Sequence, residues 1–239
     1  MSTTHIFLWA SPRNISTALM YAFAQRKDTL VVDEPLYAFY LANSDAAAYH
    51  PGAEEILATM EQDGEKAIQT LLQNQEKPVA FYKGMTHHLL HLNRGFLSKV
   101  KNVILTREPK AQLASFSKVI QSPTMDDVGY AQQAELLNHL IDIGNTPIVI
   151  DSARLLKDPE NCLIKLCKVL EIPFDKGMLS WQAGPRSEDG CWAPYWYKSV
   201  HTSTGFAPYR EKEVDLPKHL TDLYLESKKH YNKLIQYAL

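Results

Sequence analysis

Short apolar runs alternate along this chain with longer stretches of helical periodicity. The runs cover residues 4–10, 30–33, 79–83, 102–106 and 147–150. All but the second are rich in Ile, Val, Phe or Leu and lack a clean apolar–polar alternation. Parallel strands buried on both faces carry that pattern. Between the runs, residues 16–26, 36–47, 64–75, 109–120 and 127–143 read as helices, with Ile68, Leu71 and Leu72 at helical spacing in the third. Strand–helix alternation of this kind predicts an α/β fold with a central, mainly parallel sheet and helices on both faces. It leaves the order of the strands open.

Beyond residue 150 the pattern changes. Residues 159–170 predict a helix. Residues 184–208, with Trp192, Tyr195, Trp196, Tyr197 and several Gly and Pro, predict a loop. The last predicted helix covers residues 217–236 and places Leu220, Leu223, Tyr224, Tyr231 and Leu234 on one side, either as core packing or as a homodimer contact. No repeat or low-complexity linker interrupts the 239 residues. They read as one domain with a helical, loop-rich C-terminal part from about residue 152.

Composition narrows the partners. A formal net charge of −2 with 22% charged residues offers no basic excess for nucleic acid or an acidic membrane. A small anion is a different matter, because a few local cations and backbone amides suffice for one. The 3 cysteines, Cys162, Cys167 and Cys191, form no C-x-x-C pair and no even set, so a reducing compartment is expected. The N-terminal apolar run, residues 6–10, is too short for a signal or a membrane span. The expected location is the cytoplasm, without membrane attachment.

The first strand–loop–helix unit, H-I-F-L-W-A-S-P-R-N-I-S-T, carries the most chemistry. A helix N-terminus leaves backbone N–H groups unpaired at the positive end of its dipole. Arg13, Ser16 and Thr17 beside it would make an anion cradle. The alternative is that Ser16 and Thr17 cap the helix and Arg13 is solvated. The segment is not a Walker loop, which needs glycine where Ile15 stands and lysine where Ser16 stands. That counts against an ordinary ATPase or GTPase.

A second unit, N-V-I-L-T-R-E-P-K-A-Q-L-A-S-F, runs from a strand into Arg107 and then a helix with Ser115 eight residues later. An arginine fork grips phosphate bidentately, and a helix hydroxyl adds a donor. The alternative for Arg107 is an ion pair with Glu108 or Glu135.

Together these two units resemble the PAPS-dependent sulfotransferases. S-P-R-N-I-S-T is similar to their 5′-phosphosulfate loop, with Asn14 and Ile15 in place of Ser-Gly. Arg107 and Ser115 match their 3′-phosphate site in spacing. A later stretch, W-Y-K-S-V-H-T-S-T-G-F, resembles the loop that closes over the donor. D-E-P-L-Y and K-G-M-T-H-H are similar to a bacterial subgroup, some of whose members carry aminotransferase-like names, although no pyridoxal-phosphate signature is present.

The resemblance implies a P-loop NTPase-like three-layer sandwich. It implies transfer of a sulfuryl group from PAPS to a hydroxyl or amine of a small-molecule acceptor, with no metal. The donor would meet Arg13, Asn14, Ile15, Ser16, Thr17, Arg107 and Ser115, and in the late loop Lys198, Ser203, Thr204 and Gly205. Two rival expectations are a P-loop kinase or other phosphotransferase, and a non-catalytic module that binds adenosine 3′,5′-bisphosphate.

Transfer also needs a base and stabilisation of the transferred charge, for which Arg13 is placed. Glu34 ends the second strand, where α/β sheets put ligands. Its alternative is a helix N-cap before Pro35, although Glu is not a favoured cap. His87 and His88 follow the third strand, and imidazole titrates near a working pH. As neighbours on a helix, only one of the two is expected to face the site. A metal at His87, His88 and His91 is disfavoured by the absence of H-E-x-x-H. Lys83 is a candidate for the leaving phosphate's charge, and Asp33 for orienting Arg13 or capping the next helix. Trp9 is expected in the core and Lys228 with Lys229 on a solvated face. Tyr37, Phe39, Tyr40, Trp192 and Trp196 read as pocket wall or core.

Overall fold

The computed structural model describes residues 3–211 and 214–239. Strands β1 (Thr4–Ala10), β2 (Thr29–Asp33), β3 (Val79–Met85), β4 (Lys101–Thr106) and β5 (Ile148–Asp151) form one sheet. Its order is β2-β3-β1-β4-β5, and every neighbouring pair is parallel. The expected α/β, P-loop-like architecture is borne out. Each predicted run is a strand, shifted by at most two residues at an end.

The helices are α1 (Ser16–Ala24), α2 (Tyr37–Ala42), α3 (Ala53–Thr59), α4 (Gly64–Gln73), α5 (Pro109–Phe116), α6 (Met125–Val128), α7 (Tyr130–Asp142), α8 (Ser152–Lys157), α9 (Pro159–Leu170), α10 (Ala193–Trp196), α11 (Lys198–His201) and α12 (Thr221–Leu234). Alternate residues of each strand point to opposite faces, so both faces of a central strand need cover. On one face Ile6, Leu8, Phe81 and Leu105 pack against Leu19, Met20 and Phe23 of α1 and Leu163 and Leu166 of α9. On the other, Phe7, Trp9, Tyr82 and Ile104 pack against Ile68 of α4, Leu136 and Leu140 of α7 and Leu234 of α12. That double burial explains the missing alternation in the sequence. Trp9 lies in the core as expected, and its indole N–H donates to Asn102 Oδ1 at 3.0 Å.

After β1 the chain builds β2 and β3 on one side, then crosses to build β4 and β5 on the other. The carboxyl end of β1 is therefore a switch point, where an open α/β sheet leaves a crevice.

Three predicted segments differ in detail. Residues 36–47 are not one helix. α2 ends at Ala42, and Ser44 starts a separate turn, Asp45–Ala48, by accepting from Ala46 N at 3.4 Å while donating to Tyr40 O at 2.7 Å. The helix expected over 127–143 is broken by Gly129, which takes φ 73° between α6 and α7. The predicted loop 184–208 contains α10 and α11, each a single turn. The stripe on α12 is spent within the chain: Leu223, Tyr224 and Tyr231 pack on Leu113, Phe116, Val128 and Tyr130. Among the described residues no helix is long and apolar enough to cross a membrane.

Candidate active site

The loop after β1 is held from below by a buried amide. Asn14 Nδ2 donates to Leu105 O at 2.6 Å and to Ser11 Oγ at 3.3 Å, while the main-chain carbonyl of Asn14 accepts from Ser152 Oγ at 2.9 Å. Ile15 is the N-cap of α1 and carries no side-chain cap bond. Ser16 and Thr17 therefore lie inside the helix and do not cap it. Both Arg13 (φ 61°) and Ile15 (φ 68°) are left-handed. A β-branched residue there is an outlier costing roughly 1–3 kcal/mol. Ile15 thus adopts the backbone that a glycine would supply freely, and its side chain packs against the core.

Arg13 and Arg107 line one cavity with Ser115. Arg13 Nε donates to Ser115 Oγ at 3.3 Å and its Nη1 to Trp196 O at 3.2 Å. Arg107, just past the end of β4, donates from Nη1 to Arg13 O at 2.6 Å. Among the described residues no carboxylate pairs with either guanidinium. The ion pairs considered for Arg107 do not form. Glu108 caps α5 through Ala111 N at 3.2 Å and meets Lys228 at 3.1 Å, while Glu135 pairs with Arg94 at 3.0 Å. Lys228 is accordingly paired and not simply solvated. Burial lowers the pKa of both guanidiniums, and for Arg13 the neighbouring Arg107 adds to it. Among the described residues these two half-buried cations have no salt-bridge partner, so together they make this part of the cavity wall positive.

The late segment contributes unevenly. Ser203 and Gly205 line the cavity, but Lys198 and Thr204 do not and are exposed. Lys198 opens the one-turn α11 with its side chain toward solvent, and Thr204 uses its carbonyl to accept from Trp181 N at 3.1 Å. Ser203 Oγ is itself engaged by Trp181 Nε1 at 3.2 Å and Val200 O at 2.7 Å. A side chain at Gly205 would stand 2.9 Å from Leu179 O, so this close crossing of two backbones requires glycine.

At the ends of β2 and β3 the structure builds a closed polar network that the sequence did not reveal. Lys83 is fully buried and donates to Asp33 Oδ1 at 2.9 Å, to Glu34 Oε1, and to Tyr197 OH at 2.8 Å. Tyr197 OH in turn donates to Asp33 Oδ2 at 2.6 Å and accepts from Trp192 Nε1 at 3.1 Å. All three ammonium hydrogens are committed. Lys83 therefore has none left for a leaving phosphate, and Asp33 neither orients Arg13 nor caps a helix. Burial lowers the Lys83 pKa, but the two carboxylates outweigh it and the net direction is up. Glu34 is pushed up by burial despite Lys83.

Glu34 is not the N-cap of α2, a position held by Leu36. It takes φ 37° immediately before Pro35, although a residue preceding proline favours extended backbone. Arg13, Ile15 and Glu34 make three left-handed non-glycine residues on one cavity. Strain of this kind gathers at functional sites.

His87 and His88 both line the cavity, contrary to the expectation that only one would. They sit on a single 3-10 turn, Thr86–Leu89, around which the cavity folds. His88 is stacked between Tyr37 (5.0 Å, 21°) and Tyr40 (4.8 Å, 24°), and its Nε2 lies 4.0 Å from Glu34 Oε2. Burial, with His50 adding, lowers the His87 pKa to about 3; burial, His87, His50 and Lys83 hold His88 well below the usual imidazole range. His50, which no sequence signal marked, joins them: its Nδ1 shares a hydrogen bond with Tyr37 OH at 2.8 Å. Tyr37 and Trp196 line the cavity, while Phe39, Tyr40 and Trp192 pack behind it. The cavity encloses about 370 Å³. Among the described residues no group of three or more His, Cys, Asp or Glu is arranged to hold a metal ion.

A switch-point cavity with two arginines at a loop–helix junction belongs to a P-loop-like α/β fold. The family follows from comparison. Residues 4–236 match the sulfotransferase domain, and the chain belongs to that family of transferases. Branched-chain-amino-acid aminotransferase-like protein 1 of Arabidopsis thaliana is 42% identical over 231 residues, covering 96% of this chain and 41% of the plant protein. Aminotransferase-like protein 2 of the same plant is 39% identical over the same share. The chain thus spans about two fifths of the length of these curated relatives. In fold it is similar to a sulfotransferase from Alicyclobacillus acidocaldarius (TM-score 0.60, 14% identity, 100% of this chain and 98% of that one). It is also similar to the sulfotransferase domain of the Synechococcus PCC 7002 olefin synthase (TM-score 0.61, 18% identity, 97% and 96%).

Proposed function

We propose that this chain transfers a sulfuryl group from PAPS to a small-molecule acceptor. The observation that carries the reading is the pair Arg13 and Arg107: two half-buried guanidiniums on one cavity with no carboxylate partner among the described residues. Residues 13–17 would hold the 5′-phosphosulfate, using the left-handed loop and the amides that open α1. Arg107 and Ser115 would hold the 3′-phosphate, with Ser203 and Gly205 beside them. PAPS, when bound, supplies an activated sulfuryl group. Arg13 would stabilise charge on the oxygens around the transferred sulfur.

Glu34 is the proposed base. Imidazoles with pKa values as low as that of His87 hold a proton too weakly to accept one near neutral pH. Glu34 moves the other way, towards a working pH. Lys83 fixes its Oε1, which leaves Oε2 for the acceptor's proton. His87 and His88 then serve as neutral hydrogen-bonding walls.

Calorimetric titration with adenosine 3′,5′-bisphosphate, with ATP and Mg²⁺ as comparator, tests the donor. Tight bisphosphate binding that is lost in Arg107→Ala is the expected outcome. A preference for ATP would replace this reading with a phosphotransferase.

A further inference from the structure

Resting on the sulfotransferase reading and on Glu34 as its base, we infer that Tyr197 is a positioning residue of the transfer: its hydroxyl satisfies Asp33 and so leaves Lys83 free to hold Glu34. The buried network at the ends of β2 and β3 leads there.

Two carboxylates share one cation. Lys83 donates to Asp33 Oδ1 at 2.9 Å and also to Glu34 Oε1. What each carboxylate draws from the ammonium depends on its other partners. Asp33 has two of them: Tyr197 OH donates to Oδ2 at 2.6 Å, and Gly190 N at 3.3 Å. The shorter bond is the one from Tyr197. Burial raises the Glu34 pKa, Lys83 is the main influence pulling it down, and the Tyr197 hydroxyl pulls the same way.

The hydroxyl is held in place from every side. Its hydrogen goes to Asp33, and it accepts from Lys83 Nζ at 2.8 Å and from Trp192 Nε1 at 3.1 Å. The turn that carries it is anchored as well. Tyr197 N donates to Ala193 O at 2.8 Å, and Tyr197 O accepts from His201 N at 2.9 Å. The preceding carbonyl, Trp196 O, accepts from Arg13 Nη1 at 3.2 Å. One short turn of the late segment thus touches the loop after β1 through its backbone and the base's network through its phenol.

Tyr197→Phe keeps the ring, which Lys83 faces at 5.2 Å, and removes only the hydroxyl. Asp33 then keeps the long Gly190 bond and draws the ammonium away from Glu34. A carboxylate that loses part of a neighbouring cation takes up a proton more readily. The other groups facing Glu34 stay as they are: Tyr37 on α2, and His88 on the turn after β3, whose Nε2 lies 4.0 Å from Oε2. So do His50, His87, Asp127, Arg13 and Arg107 along the cavity wall.

The test reads Glu34 directly, on protein carrying carbon-13 glutamate and loaded with adenosine 3′,5′-bisphosphate. Glu34→Gln assigns the carboxyl signal, which is followed by NMR between about pH 4 and about pH 9. Tyr197→Phe should raise its midpoint by about one pH unit, the size of a lost hydrogen bond in a charged network, with bisphosphate affinity unchanged. If that variant does not fold, a fluorotyrosine in place of Tyr197, a stronger donor to Asp33, should lower the midpoint instead. An unmoved midpoint, a shift of the opposite sign or a Glu34 that never titrates overturns the inference. So does a loss of bisphosphate affinity alongside the shift, which would make Tyr197 a support of the donor loop. Failure of the unaltered protein to load the bisphosphate would instead overturn the donor reading beneath it.

Discussion

Arg107 donates from Nη1 to the main-chain carbonyl of Arg13 across 2.6 Å, tying the end of β4 to the loop after β1. One guanidinium thus supports the loop's backbone while keeping other donors for a ligand. Arg107→Lys keeps the charge but loses the fork. Bisphosphate affinity should fall about tenfold to a hundredfold, as expected for lost hydrogen bonds to a charged group. Calorimetry on the two proteins reads the change directly.

Lys83 is the single cation between two buried carboxylates. Lys83→Met removes it and leaves Asp33 and Glu34 facing each other without a compensating cation, Asp33 keeping only its bonds from Tyr197 OH and Gly190 N. Unfolding in urea should show a loss of about 3–5 kcal/mol, the range for breaking a buried ion pair from one side. Adding Asp33→Asn to that variant should recover part of it. Additive losses would mean that the two residues do not act as one network.

Glu34 should set the acidic limb of the pH profile. Its pKa is raised, chiefly by burial, so the carboxylate that accepts the proton forms at higher pH than usual. The value of kcat/KM should rise with pH through a range above the ordinary carboxylate value of about 4.3. Glu34→Gln should cut turnover by about 10²- to 10⁴-fold with bisphosphate affinity retained. Turnover that survives in this variant would move the base elsewhere.

His87 and His88 make stability depend on pH in the opposite region. Both are buried neutral, and His87 resists protonation down to about 3. The unfolded chain takes up those protons below about 6.5. There the unfolded state binds more protons, so stability falls as pH drops from about 6.5 towards 3, by about 1.4 kcal/mol per pH unit for each histidine. Urea midpoints between pH 7 and pH 5 should show the slope, and the double variant His87→Asn, His88→Asn should flatten it.

Much of this protein is written locally. The five apolar runs marked the strands because both faces of a central parallel sheet demand continuous apolar residues. The loop after β1 and the strand-end Arg107 were legible because each motif lies within one strand–loop–helix unit. Break points such as Gly129 were missed where a left-handed residue interrupts an otherwise helical pattern. His50 carried no signal, and Tyr197 was legible only as one aromatic of the late loop, not as a partner of Asp33. His50 sits in a loop before Pro51, and Tyr197 reaches Asp33 from 164 residues away.

The sequence by itself determined the fold class, the strand–loop–helix unit after β1 and the residue types available for chemistry, since these depend on periodicity and short-range spacing. Only the tertiary structure decided the strand order, the engagement of Glu108 and Glu135 with partners other than Arg107, and the commitment of Lys83 to Asp33, Glu34 and Tyr197. Partners in a hydrogen-bond network are chosen by which strand ends and loops meet in space. No local pattern encodes that meeting, because it follows from packing the whole chain around one sheet.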